Sequence, residues 1–138
     1  MFLVVKKNQI ILSLLLIAAV AAAICFSSFT KDGNLSLCRK FLKELGYSFE
    51  KDLLEKAEVT IPEGFGTVYE SYNLLQKEAG FDLMPLRGKT VLRYSFRLKD
   101  EEYTLANILI SDGKICGGDI LNPSLSGKMI PLIPKEKE

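Results

Sequence analysis

The longest uncharged stretch of this chain runs from Asn8 to Thr30, and its apolar centre is Ile10–Phe29. A run of about 20 apolar residues is long enough to cross about 30 Å of hydrocarbon as a helix. A helix is required there, because lipid cannot satisfy the backbone N–H and C=O groups. Lys6 and Lys7 precede the stretch, and the positive-inside bias keeps them in the cytoplasm. The stretch therefore predicts a single-pass membrane anchor, with the C-terminal part of the chain outside the cytoplasm.

The same residues also fit a cleaved signal peptide. That interpretation takes Ile10–Val20 as the apolar core and the small residues up to Ala23 as the cleavage site. Ile24 and Phe26 extend the apolar run past Ala23, which favours the uncleaved anchor. A lipoprotein signal at Cys25 is disfavoured, because Ile24 stands where that signal needs a small residue. If cleavage occurs near Ala23, the rest of the chain is secreted rather than tethered.

The charge of the chain limits its partners. All the acidic residues, and all the basic ones except Lys6 and Lys7, follow the apolar stretch, so this part of the chain is close to neutral. Nucleic-acid binding needs a basic stripe, and none is present. The chain contains no histidine, which removes the commonest general base and the commonest metal ligand. We therefore predict no nucleic-acid partner, no metal and no cofactor.

Hydropathy divides the chain into consecutive parts. Residues 1–29 are the cytoplasmic tip and the transmembrane anchor (or the signal peptide), and residues 30–34 are a short polar linker. Residues 35–128 form an extracytoplasmic domain, and residues 129–138 are an irregular tail that contains two prolines and ends in alternating charges. The length of the domain suits a single, modest hydrophobic core.

Two helices are predicted in this domain. Apolar residues recur at three- and four-residue steps over residues 37–45, which indicates the first helix. The second runs from about Pro62 to Ala79, and its apolar side includes Val68. A short strand at Val59–Ile61 precedes it, whereas the charged segment Glu50–Glu58 fits a helical turn or a surface loop.

Three further strands follow the helices. Val91–Leu98 alternates apolar and polar residues, and Tyr103–Ile110 is apolar on both faces and therefore central. Asp112-Gly113 is a hairpin signal before the last strand, Lys114–Leu121, in which Gly117-Gly118 indicates a bulge or a close backbone approach. We predict an α+β domain, in which two helices pack on one face of an antiparallel sheet with a C-terminal three-stranded meander.

The second helix and the glycine pair carry the most prominent polar residues. Asn73 and Gln76 fall off the apolar side of the helix, where they can bond the loop at Asp82 or face a partner. Asp119 follows the glycine pair, where a carboxylate commonly caps or bridges a strand end. The candidate cluster, for structure or for interaction, comprises Tyr69, Tyr72, Asn73, Gln76, Asp82, Gly117, Gly118 and Asp119.

No catalytic motif stands out, and we predict that the protein is not an enzyme. Asp82 and Asp119 could in principle perform acid–base hydrolysis, but nothing in their spacing selects this pair. A cysteine nucleophile would lack the usual histidine base, and the glycines match no phosphate loop. Cys38 and Cys116 would face an oxidising side and could form a disulfide. The alternative is two small buried thiols.

Several strings of the chain together form a pattern between about Phe41 and Gly127. They are Ile61-Pro62, Phe65, Val68-Tyr69, Tyr72-Asn73, Leu75-Gln76-Lys77, Gly80-Phe81-Asp82-Leu83, Gly88-Lys89, Arg93-Tyr94 and Gly117-Gly118-Asp119. The pattern resembles that of a bacterial domain of unknown function, family 4830. The resemblance implies a small protein behind an N-terminal signal or anchor, mostly in Gram-positive anaerobes, and it implies no activity. Leu86 and Cys116 depart from the pattern, where an aromatic and an aliphatic residue are expected, and the second departure weakens the case for a family-wide disulfide.

Together these observations predict a non-catalytic, membrane-tethered extracytoplasmic domain that binds another envelope protein or a cell-wall component. One alternative is a structural subunit of a membrane complex, whose partner covers the second apolar face of the strand Tyr103–Ile110. In that case Leu105 and Leu109 should lie in an exposed patch. The other alternative is the hydrolase with Asp82 and Asp119, which requires both carboxylates at the mouth of one pocket.

Overall fold

The computed structural model describes residues 32–100, 102–124 and 127–137, and the predicted anchor Ile10–Phe29 lies outside them. The described residues form two helices and a five-stranded antiparallel sheet, which confirms the α+β class. None of the helices in these ranges has both the length and the apolarity needed to cross a bilayer. The elements are α1 (Gly33–Glu44), β1 (Glu55–Thr60), α2 (Thr67–Glu78), a 3-10 turn (Met84–Leu86), β2 (Thr90–Arg97), β3 (Leu105–Ser111), β4 (Lys114–Asn122) and β5 (Lys128–Pro131).

The strands lie in the sheet in the order in which they occur in the chain. The β2–β3–β4 part is the predicted three-stranded meander. Ser111 pairs with Lys114, which leaves Asp112 and Gly113 as a two-residue turn. Both have positive φ, 50° and 72°, as a hairpin turn whose twist matches the strands requires. The hairpin predicted from Asp112-Gly113 is therefore confirmed.

The larger hydrophobic cluster lies between α1 and one face of the sheet. Its helix residues Cys38 and Leu42 are buried against Tyr94, Phe96 and Ile108. The two strand aromatics were predicted on one face from the alternation of β2, and that prediction is confirmed. Burial of each such side chain contributes about 1.5–3 kcal/mol, so this cluster is the main hydrophobic core of the domain.

The second cluster lies on the opposite face. Val91 and Leu109 pack there with Ile61, Leu83 and Tyr69 of α2. Because side chains alternate along a strand, the odd-numbered residue Val91 points away from the face that carries the α1 cluster. The prediction that both helices pack on one face is therefore wrong. The sheet is covered on two sides, because its central strands carry apolar residues on both faces.

Helix α2 turns a more polar side toward the sheet than its sequence indicates. Val68, predicted on the buried apolar side, is 85% exposed, whereas Gln76 is fully buried and Asn73 nearly so. The helix also begins at Thr67 rather than near Pro62. The cause is the surface that it covers: the facing strands present polar groups, and these can satisfy a buried amide side chain.

Both edge strands of the sheet differ from the prediction. β1 occupies Glu55–Thr60, so it contains Val59 and Thr60 of the predicted strand but begins four residues earlier, inside the charged segment that had no clear assignment. β5 occupies Lys128–Pro131, which was predicted to belong to the domain boundary and the irregular tail. Tyr47–Phe49, which alternates like a short strand, forms only an isolated bridge between Phe49 and Leu98. Edge strands need little apolar alternation, so hydrophobic patterning detects them poorly.

The glycine pair of β4 lies at the predicted irregularity. Leu109 pairs with Gly117, but Ile110 pairs with Ile115, so Cys116 is an extra residue that forms a β-bulge. Two residues after Cys116, Gly118 has φ of 154°. A Cβ atom at this position would overlap the backbone carbonyl oxygen of Asn107 and lie 2.8 Å from a side-chain carbon of Leu132. Only glycine therefore fits where β4 approaches β3.

We predict that Gly118→Ala destabilises the domain by about 3 kcal/mol, because the new methyl group overlaps backbone atoms that cannot move independently. Gly64→Ala is the matched control, since a Cβ atom at Gly64 has no neighbour within 4 Å. Urea denaturation followed by circular dichroism should show a large decrease in the free energy of unfolding for Gly118→Ala. The same measurement should show a change within about 0.5 kcal/mol for Gly64→Ala. Equal stabilities would contradict the close approach.

Candidate functional site

A row of polar side chains crosses the sheet on the face that α2 covers. Ser95, Asn107 and Asp119 are consecutive partners on β2, β3 and β4, so their side chains share that face. The Ser95 hydroxyl donates to Asn107 Oδ1 at 2.7 Å, and Asn107 Nδ2 donates to Asp119 Oδ1 at 2.9 Å. The row ends in a carboxylate that is only 4% exposed.

Tyr72 of α2 extends this row of hydrogen bonds from the sheet to the helix that covers it. Its hydroxyl donates to Asp119 Oδ2 at 2.8 Å. Each oxygen of the Asp119 carboxylate therefore accepts a hydrogen bond, one from the sheet and one from the helix. Hydrogen bonds to an ionised group contribute about 1.5–3 kcal/mol, so this carboxylate joins α2 to the sheet.

Gln76 makes a second connection one turn further along α2. Its Oε1 atom accepts a hydrogen bond from the Gly118 backbone N–H at 2.8 Å. A Cβ atom at Gly117 would lie 2.8 Å from the same oxygen, so Gly117 leaves the space that the amide occupies. The Gln76 Nε2 atom is buried and has no hydrogen-bond partner among the described residues. The structure thus keeps Gln76 in place at the cost of one unsatisfied donor.

The loop after α2 is held by Asn73. Its Nδ2 atom donates to Asp82 Oδ1 at 2.9 Å, and its Oδ1 atom accepts from the Leu83 N–H at 2.8 Å. The Met84 N–H donates to the same Asp82 oxygen at 2.9 Å. These bonds fix the 3-10 turn and direct Leu83 into the second hydrophobic cluster.

Tyr69 stands beside this network rather than in it. Its ring lies 4.8 Å from that of Phe65 and 5.7 Å from that of Tyr72, measured between ring centroids. The hydroxyl of Tyr69 has no hydrogen-bond partner within the described ranges. The ring therefore supports the position of Tyr72 by packing.

The structure thus brings most of the candidate cluster together. Tyr72, Gln76, Gly117, Gly118 and Asp119 meet where α2 crosses β4. The remaining three lie at the margins of this contact: Tyr69 packs on Tyr72, and Asn73 and Asp82 bind each other in the loop. The loop contact proposed for Asn73 is present, whereas Gln76 bonds the sheet backbone instead.

Ser95 and Asn107 were not among the residues predicted from the sequence. In the alternating pattern of β2, Ser95 was assigned to the polar and therefore exposed face, yet it is 4% exposed. A polar residue in the middle of the apolar β3 was the available signal for Asn107. Strand register was needed to align these two residues with Asp119, and a single sequence does not give that register.

Burial determines the electrostatics of the network. Desolvation raises the pKa of Asp119 above its usual value, although hydrogen bonds from Asn107 and Tyr72 and the charge of Arg93 act in the opposite direction. Burial and the neighbouring Asp119 raise the pKa of Tyr72 far above its usual value, so its hydroxyl remains a donor at neutral pH. Hydrogen bonds from Asn73 and the Met84 N–H lower the pKa of the exposed Asp82.

The disulfide considered between Cys38 and Cys116 is not formed, and both residues are thiols. Cys38 belongs to the cluster under α1, whereas Cys116 packs with the second cluster. The two clusters lie on opposite faces of the sheet, so the sheet separates the side chains. Burial raises the pKa of Cys116 to about 11, which keeps it protonated and weakly nucleophilic at neutral pH.

Within the described ranges, no three of the cysteine and acidic side chains come together in a way that could hold a metal ion.

A comparison of the chain with family models, curated proteins and solved structures gives no match. The resemblance to family 4830 therefore stays a prediction.

We predict that Tyr72→Phe destabilises the domain by about 1–2 kcal/mol, because one oxygen of the buried Asp119 carboxylate loses its donor. Tyr69→Phe is the matched control on the same helix and should change stability by less than about 0.5 kcal/mol. Urea denaturation of both variants measures the difference. If the two variants are equally stable, the bond between Tyr72 and Asp119 contributes nothing.

The contribution of Asp119 to stability depends on pH. The raised pKa of Asp119 means that the folded protein binds this proton more tightly than the unfolded chain, so the stability from protonation is lost as pH rises through the folded-state pKa. Asp119→Asn, which resembles the protonated acid, should therefore gain stability relative to the parent chain as pH rises from about 4 to about 7. Urea denaturation at several pH values provides the test.

Asp82→Asn is the control with the opposite sign. The pKa of Asp82 is lowered, so its stabilising contribution is present above the unfolded-state value of 3.8 and is lost on acidification. This variant should therefore lose stability relative to the parent chain as pH rises from acid toward that value, and the difference should level off above it. A stability difference for Asp119→Asn that does not vary with pH would contradict the burial of its charge.

Proposed function

We propose that this chain is a non-catalytic domain that is tethered to the outer face of a bacterial membrane and binds another component of the cell envelope. The observation that carries the proposal is the uncharged stretch Ile10–Phe29, preceded by Lys6 and Lys7 and followed by a folded α+β domain. Such a stretch determines location more strongly than any other feature of the sequence.

The hydrogen bonding and protonation of the potentially reactive side chains support a binding role rather than a catalytic one. Asp119 uses both carboxylate oxygens to hold α2 on the sheet, and Asp82 uses one oxygen to hold the loop. A catalytic carboxylate needs to reach a substrate, whereas the Asp119 carboxylate is enclosed. The Cys116 thiol is protonated at neutral pH. The two carboxylates therefore stabilise the fold, and the thiol is not activated for catalysis.

The outer side of α2 is the surface that we assign to partner binding. Val68 is 85% exposed and Leu74 is 63% exposed, the highest values among the large apolar side chains of the described residues. Lys77 lies three residues after Leu74, on the same side of the helix, and is exposed. Leu74, an uncovered apolar side chain beside the Lys77 cation, suits a partner surface with apolar and acidic groups, and Val68 adds a second exposed apolar side chain near the start of the helix.

The alternative, a structural subunit, required an open apolar face on β3. Leu109 is 4% exposed and packs with Leu83 and Val91, and Leu105 is half-buried. Leu109 is therefore not available for a partner at that face. The outer side of α2 remains the better candidate for contact with another protein.

The proposal is tested with a membrane-impermeant amine crosslinker on intact cells that carry the full chain with a C-terminal tag. We expect the tag to appear in a heavier product that contains a second, different envelope protein or a cell-wall component, identified by mass spectrometry. Lys77→Arg keeps the charge but removes the reactive amine, so it should lower the yield of this product several-fold. Lys43→Arg on the exposed side of α1 is the matched control and should leave the yield unchanged.

Two results would overturn the proposal. If the tagged chain does not react while an outward-facing control protein does, the domain does not lie outside the cytoplasm. If the chain reacts but its products contain no other envelope component, the proposed binding activity is absent. Equal effects of Lys77→Arg and Lys43→Arg would exclude α2 as the contact surface.

A further inference from the structure

The strand β1 is the open edge of the sheet. It is the first strand in the spatial order, and no described strand lies beyond it. The opposite edge strand, β5, has four residues and ends at Pro131, which cannot donate a backbone hydrogen bond. β1 has six residues without a proline, and all its side chains are exposed or half-buried. An edge of this length can accept another strand.

The direction of the β1 backbone groups follows from its pairing with β2. The Ile61 N–H donates to the Lys89 carbonyl oxygen at 2.8 Å, so the odd-numbered residues direct their N–H and C=O groups toward β2. The even-numbered residues, Lys56, Glu58 and Thr60, therefore direct theirs toward the outer edge. A strand that is added there must pair with these residues.

The charges along β1 are complementary to a second, antiparallel copy of the same strand. If Ala57 lies opposite Ala57 of the copy, Lys56 lies opposite Glu58 of the copy, and Glu58 opposite its Lys56. A shift that places Lys56 opposite its own copy brings two ammonium groups together, and the reverse shift brings two Glu58 carboxylates together. Like charges at directly opposite positions are destabilising. The charge pattern thus selects the register centred on Ala57.

We propose that this domain forms a two-fold symmetric dimer, in which β1 pairs with β1 of a second copy in the register centred on Ala57. The two sheets join into one continuous sheet. The pairing covers the edge next to Leu54, an apolar side chain that is 46% exposed at the start of the strand. The inference is independent of the proposed function, because β1 and the outer side of α2 are different surfaces.

Neighbouring side chains already hold two of the three charged side chains of β1 in place. The Lys56 ammonium group lies 5.2 Å from the centre of the Tyr94 ring, on the face that carries the α1 cluster. On the other face, Arg93 donates to a Glu55 carboxylate oxygen at 2.7 Å. Glu58 lies on the same face as Lys56, so it is the carboxylate that Lys56 of the second copy meets. Positioned side chains lose less conformational freedom when a complex forms.

The proposal is tested by disulfide trapping of the full chain in membranes, in a Cys25→Ser background. Across a two-fold axis, Ala57 would be a non-hydrogen-bonded pair with Cα atoms about 4.5 Å apart, which a disulfide can span. We therefore expect Ala57→Cys to give a crosslinked dimer under mild oxidation. Val59→Cys is the matched control on the same strand and face, but it would lie opposite Glu55 of the copy and should not crosslink.

Charge reversal provides an independent readout in the Ala57→Cys chain. Lys56→Glu or Glu58→Lys alone places like charges opposite each other twice per dimer and should lower the crosslinked fraction about tenfold. The double variant restores opposite charges and should restore the crosslinked fraction. Mixing the two single variants should give a heterodimer. Recovery in the double variant also shows that neither substitution acts by unfolding the domain.

The proposal is overturned if Ala57→Cys gives no more dimer than Val59→Cys, or if the double charge variant stays as low as the single ones. A product that joins Ala57→Cys to a different protein, without a homodimer, would show that the edge binds another strand and would also overturn it. Efficient trapping by Val59→Cys alone would indicate another register and would contradict the charge argument.

Discussion

The hydrogen bond between Gln76 and the Gly118 backbone N–H is the contact on which the arrangement of α2 depends. An amide side chain can reach the backbone of β4 only because Gly117 and Gly118 leave space for it. Once that bond is made, the adjacent turn places Tyr72 over Asp119. The helix therefore binds the sheet through directional polar contacts, with the aromatic cluster of Tyr69 beside them. The unsatisfied Gln76 Nε2 atom is the cost of this arrangement.

The two faces of the sheet are stabilised in different ways. Under α1 the contact is apolar and non-directional, so many side chains of similar volume would maintain it. Under α2 each bond has one geometry, and the loss of one donor leaves a buried acceptor unpaired. The first face accounts for most of the buried apolar side chains, whereas the second specifies how the helix lies. This division explains why the candidate cluster has polar residues without forming an accessible site.

The sequence predicts the features that depend on local patterns. The β2 alternation, the Asp112-Gly113 turn and the bulge next to Gly117 follow from residue type and spacing, and the structure contains all of them. The orientation of α2 was not predictable, because the apolar stripe with Val68 was the stronger signal and the polar groups of the facing strands belong to distant residues. The first part of the edge strand β1, Glu55–Glu58, was left unassigned because its charged residues satisfy no hydrophobic pattern. Both errors concern surfaces that are defined only after the chain has folded.

The identity of strand order and chain order has a consequence for how the domain is made. Every strand after the first pairs with the one synthesised just before it, so the sheet can grow by one strand at a time as the polypeptide emerges. No strand has to wait for a later one to be inserted between itself and its neighbour. The domain can therefore begin to assemble while its C-terminal residues are still being synthesised, which shortens the time for which apolar segments remain unprotected.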